Sequence, residues 1–192
     1  MIVRTSHTLR AAAVGALTGW LSSWLLAEFD GEFAVDYVPG VLFGIGVVAY
    51  RAVEMRPLSR DSYIIAFAFV AGSAISFRLA VEVAIRLSGR IGTSEPLWIP
   101  GIAAGLIGSL QLVAVWQLTK LGRRSKLQWV MVVLAGSLLG LLLEPAMNTV
   151  MSDLPENPRD DPRFGILFIP WQAGVAAALL GFGPPQLRPR DF

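Results

Sequence analysis

The chain reads as long uncharged, apolar runs separated by short charged clusters. Six such runs stand out, at about residues 9–28, 38–53, 62–87, 97–119, 127–147 and 165–183. A helix rises about 1.5 Å per residue, so roughly 20 residues cross a hydrocarbon core of about 30 Å. Five runs meet that length. The second is short: its uncharged heart runs from Tyr37 to Tyr50, and Arg51 completes it by snorkelling toward the headgroups. The pattern predicts an all-α, polytopic membrane protein with six transmembrane helices, residues 1–192 forming a single integral membrane domain. Composition agrees. Of 192 residues, 54% are hydrophobic and 16% charged, whereas a soluble domain carries about a quarter charged residues.

The charged clusters alternate in sign from loop to loop. Arg4 and Arg10 precede the first run; Arg51, Arg56 and Arg60 flank the second connection; Lys120, Arg123, Arg124 and Lys126 form the fourth; Arg188 and Arg190 lie near the end. The opposite side receives Glu28, Asp30, Glu32 and Asp36, then Glu95, then Asp153, Glu156, Asp160 and Asp161. Lysine and arginine asymmetry sets orientation, which predicts a plasma-membrane protein, in a prokaryotic cell, with both termini cytoplasmic. The first run is read as a span and not a cleaved signal peptide, because Trp20 and Trp24 interrupt it and no small-x-small site follows.

Within the runs a motif recurs. Tyr37-Val38-Pro39, Trp98-Ile99-Pro100 and Phe168-Ile169-Pro170 open the even-numbered spans with an aromatic, a β-branched residue and a proline. Proline suits the first helical turn, where its missing N–H has no intrahelical acceptor, and the aromatic ahead of it suits the interfacial belt. The odd spans share small residues four apart: Gly15/Gly19, Gly72/Ser76 and Gly136/Gly140. Together these predict three repeated helical hairpins running parallel to one another. The same spacing recurs at Gly40/Gly44 and Gly101/Gly105. Small residues at such positions let helix backbones approach closely, so a compact bundle with little room for a wide pore is expected. Contacts with a second copy or with a membrane-complex partner are a further use of the same ridges.

Ionisable groups inside a span are costly and point to function. Arg78, Glu82 and Arg86 fall on one stripe of the third run, and Glu144 lies high on the fifth, ahead of Pro145 and Asn148. Gln172 starts the sixth at a similar level. Arg78, Glu82, Glu144, Asn148 and Gln172 are therefore the candidate lining of an outer polar vestibule for an ion or small solute. Glu144 is the carboxylate placed to take up and release a proton. Gln111 lies near mid-membrane on the fourth run and needs a hydrogen-bonded partner, for which Ser73, Ser137 or a carbonyl are candidates.

Missing chemistry narrows the function classes. There is no cysteine and His7 is the only histidine, which excludes thiolate chemistry, disulfides and histidine-rich metal sites within one chain. The Asp160-Asp161 pair lacks the glycine and ligand period of a calcium loop, so no metal is expected. No phosphate loop, dinucleotide fingerprint or hydrolase motif occurs. The expectations are no enzyme, no cofactor and no nucleic-acid partner. What remains is a small channel or transporter, with a non-transporting membrane subunit, such as a scaffold or effector, as the alternative.

Overall fold

The computed structural model describes residues 2–28, 32–54, 60–91, 96–119, 126–145 and 165–181. Among them are six helices and no strand: α1 (Ile2–Glu28), α2 (Glu32–Glu54), α3 (Arg60–Ile91), α4 (Trp98–Leu118), α5 (Lys126–Gly140) and α6 (Gly165–Gly181). Three segments are long and apolar enough to cross a membrane: Tyr63–Ser88, Trp98–Leu118 and Lys126–Pro145. Tyr37–Val53 and Phe168–Gly181 are shorter apolar helices. The outward faces carry large apolar side chains, among them Phe67 at 75% exposure and Leu118 at 81%. Such faces suit lipid and are compatible with a membrane location.

Each helix packs against its neighbours in the chain, and α6 packs against α1 most extensively of all. The helices thus close into a ring in sequence order. Contact registers make every neighbouring pair antiparallel. Gly15 meets Gln172 while Gly181 meets Thr8; Gly101 meets Gly140 while Gly105 meets Gly136. One end of the ring therefore gathers the starts of α1, α3 and α5, and the other the starts of α2, α4 and α6.

The proline expectation holds only in α4. There Pro100 sits in the first turn, and the Gly101 N–H donates to the Leu97 carbonyl at 3.1 Å. In α2 and α6 the helix starts earlier than the motif implies, so Pro39 and Pro170 lie inside it. Glu32 and Asp36 carry charges that the hydropathy pattern assigns to a loop, yet the helix runs through both positions. An interior proline removes one i to i−4 bond, and in both cases the helix continues past it.

Two kinds of seam alternate around the ring. At α6–α1, α2–α3 and α4–α5 glycine lets backbone meet backbone. A Cβ on Gly15 would lie 2.2 Å from the Gln172 carbonyl oxygen, one on Gly40 2.7 Å from the Ala74 Cα, and one on Gly105 2.1 Å from the Gly136 carbonyl oxygen. At α1–α2, α3–α4 and α5–α6 the glycines face side chains. Gly46 meets Thr18 Cγ2, Gly72 meets the Val115 methyls, and Gly174 meets Leu139 Cδ1. The ridges expected from the sequence are thus buried within the chain.

The ring interior is filled. Toward the end where α1 begins, Val47, Phe69, Leu112, Trp116, Val175 and Leu179 form a continuous apolar core. Phe69 and Trp116 meet edge to face at 5.6 Å, and the Gln128 side-chain amide donates to the Leu179 carbonyl. Toward the other end Phe77 contacts Phe168 at 5.4 Å and Trp171 at 6.4 Å, and Phe43 lies 6.3 Å from Trp171.

The seams respond differently to one methyl group. Gly105→Ala drives a Cβ into backbone and is expected to destabilise the protein by about 1–3 kcal/mol, the range for overpacking. Gly72→Ala meets only Val115 and should be restored by Val115→Ala in the double variant. Detergent-unfolding midpoints of the three proteins measure this.

Candidate functional site

The third run supplies a charge ladder because its ionisable residues recur every four positions, which stacks them on one helix face. Arg78 Nη1 donates to Glu82 Oε2 at 2.8 Å, and Arg86 Nε donates to Glu82 Oε1 at 2.5 Å. One carboxylate thus bridges two guanidiniums, leaving the ladder with a net positive charge. Arg78 and Glu82 are part-buried, at 31% and 30% side-chain exposure, and Arg86 is exposed at 72%. Arg78 thus pairs along its own helix with Glu82.

Glu144 lies beyond the end of α5, half-buried. Among the described residues it makes no hydrogen bond and no ion pair. Asn148 and the Asp160-Asp161 pair lie outside the described residues.

Gln172 stands apart from the ladder. Its side chain is fully buried and reaches across the ring. Nε2 donates to Ser22 Oγ on α1 at 3.3 Å and to the Pro39 carbonyl on α2 at 3.2 Å. Its Oε1 is buried without a hydrogen-bond partner among the described residues. Gln172 therefore ties three helices together and leaves one acceptor open, where sequence alone groups it with Arg78 and Glu82.

Gln111 does not bind either serine expected for it. Ser73 Oγ donates to the Gly40 carbonyl at 2.8 Å and Ser137 Oγ to the Val133 carbonyl at 2.8 Å. A serine has one hydroxyl proton, and both are committed to backbone. Gln111 Oε1 is buried with no partner among the described residues.

A small cavity opens beside these groups, where α2, α3, α4 and α6 meet. Gly40 and Phe43 line it from α2; Ser73, Ser76 and Phe77 from α3; Gly108 and Leu112 from α4; and Trp171 from α6. No charged residue contributes to its wall. The two serines are the polar residues that sequence reasoning assigned to other work. They stand in the small-residue motif Gly72-Ser-Ala-Ile-Ser76, where packing alone accounts for them. At the opposite end of the ring, the Tyr50 hydroxyl lies 2.8 Å from His7 Nδ1, a pairing of residues 43 positions apart that no local pattern announces. Among the described residues no group of three His, Asp or Glu side chains gathers to hold a metal.

Buried hydrogen bonds between helices in lipid average about 0.6 kcal/mol. Gln172→Leu, which removes both bonds and also the open acceptor, should therefore cost about 1 kcal/mol or less. Gln172→Glu places a carboxylate in the same fully buried position and should cost several kcal/mol at neutral pH. Unfolding midpoints of the two variants, compared at pH 7 and pH 5, measure this, and the Glu variant should recover at the lower pH as its side chain takes up a proton. Searches against protein-family models, curated proteins and solved structures find no match for the chain.

Proposed function

We propose that the protein is a small channel or transporter for an ion or small solute, a bundle of six spans built as three helical hairpins with both termini cytoplasmic. The orientation rests on the loop charges, with Arg51, Arg60 and Lys126 at the end of the ring where α1, α3 and α5 begin. The hairpin reading draws support from the seams. Backbone contact recurs at the junction between each hairpin and the next, and side-chain contact recurs within each hairpin. The solute enters from the outer end, past Arg78, Glu82, Glu144 and Asn148. Gln111 and Gln172 supply polar groups deeper in.

One observation carries this reading: the glycine ridges are buried within the chain. A subunit that works by helix contacts with a partner would turn such ridges outward, where the structure instead carries Leu, Ile, Phe and Trp. A self-contained ring leaves its interior polar groups to be explained, and passage of a polar species explains them. The apolar core around Phe69 and Trp116 then acts as the closed gate of a resting state. That same core is the observation favouring the alternative, a non-transporting subunit, because a filled interior needs no solute.

Flux through purified protein in liposomes decides between them, using protons, alkali cations, chloride and small neutral solutes. Arg78→Ala breaks the inner rung of the ladder and should reduce flux at least tenfold with the fold intact. Glu144→Gln should abolish any proton-coupled component and leave other flux unchanged. Absence of flux for every solute by intact protein removes the transport reading.

A further inference from the structure

The cavity at the meeting of α2, α3, α4 and α6 has a specific hydrogen-bonding character. Ser73 Oγ gives its proton to the Gly40 carbonyl, and Ser76 Oγ gives its proton to the Gly72 carbonyl at 2.8 Å. Each hydroxyl then has only lone pairs left for the cavity that both residues line. The serines are three apart on one helix, which sets their Cβ atoms about 5–6 Å from each other on the same face. A single small molecule between them can donate to both oxygens, since two hydrogen bonds of ~2.8 Å span that gap. The rings of Phe43, Phe77 and Trp171 complete the lining, and aromatic faces tolerate or attract a positive charge. The wall has no cation to hold an anion. The free space is about that of one water molecule.

We propose that this cavity holds one water-sized hydrogen-bond donor, water or an ammonium ion, between the lone pairs of Ser73 and Ser76. The site is distinct from the charge ladder on α3 and exists in the resting protein. Its occupancy therefore does not depend on whether the protein transports anything.

Solid-state NMR of the full chain in lipid bilayers tests the proposal by magnetisation transfer from water protons. Transfer should reach Ser73 and Ser76 and be absent at Phe69, which lies one turn earlier on α3 in the apolar core. The double variant Ser73→Ala/Ser76→Ala removes both acceptors and should lose the transfer at the neighbouring Gly40. Leu112→Phe fills the space, keeps both hydroxyls, and should lose it as well, which covers the case in which the double variant fails to fold. Ammonium chloride that shifts the Ser73 and Ser76 signals, where sodium chloride does not, identifies ammonium as an occupant; transfer without such a shift identifies water alone. A dry cavity, with no transfer to either serine from water or ammonium, overturns the proposal. So does transfer that persists in both variants, because it then comes from bulk solvent. Flux measured on the same preparation separates the two ideas: an occupied site with no flux retains this inference and removes transport.

Discussion

Close approach of helix backbones is the constraint on which the structure depends. Between helices whose outer faces are apolar, lipid offers little hydrophobic drive to associate, so cohesion must come from dispersion contacts at short range. Glycine provides them at three of the six seams. Where Gly101 and Gly105 face Gly140 and Gly136, neither helix has a side chain to hold the other away. The remaining seams bring side chains together, through Thr18, Val115 and Leu139. Two of the tight seams, α2–α3 and α4–α5, join helices consecutive in the chain, and the third, α6–α1, closes the ring. Each helix is held on one side by backbone contact and on the other by side-chain contact.

The polar groups follow from that packing. Helices this close bring backbone carbonyls within reach of a neighbour's side chain, and Ser73 bonds across a seam to the Gly40 carbonyl while Gln172 reaches Pro39 on α2. Hydroxyls elsewhere turn back on their own helix, as Ser22 does to the Thr18 carbonyl at 2.7 Å. Both habits satisfy hydroxyl protons while leaving lone pairs inside the ring. The interior is thus richer in acceptors than in donors around the cavity, whereas the charge ladder on α3 stays at the partly exposed face.

Much of the helical plan was legible in the sequence because hydropathy and small-residue spacing are local signals. The long runs at α3, α4 and α5 and the ridges Gly101/Gly105 and Gly136/Gly140 need no knowledge of the fold. The Arg78–Glu82–Arg86 ladder is equally local, four residues to a step. The start of α6 at Gly165 was legible, but that of α2 was not, since charged residues ahead of Pro39 read as loop yet continue the helix. Nor were the partners of Gln172, which lie on α1 and α2 and are brought to it only by ring closure. Ser73 and Ser76 illustrate the deeper difficulty. A serine that packs like alanine and one that faces a cavity look alike in sequence, and only the register of α3 against α2 and α4 tells them apart.

The closing seam has a consequence for biogenesis. Gly15 and Gly19 on α1 are matched by residues 168–173 on α6, the last of the six helices to be made. At about 5–20 residues per second, on the order of 10 s or more of synthesis separates the two. Throughout that interval the first helix carries an unfilled backbone groove, able to bind any passing small-residue helix. The ring can therefore close only as a late event, after the chain from α2 to α5 has been made.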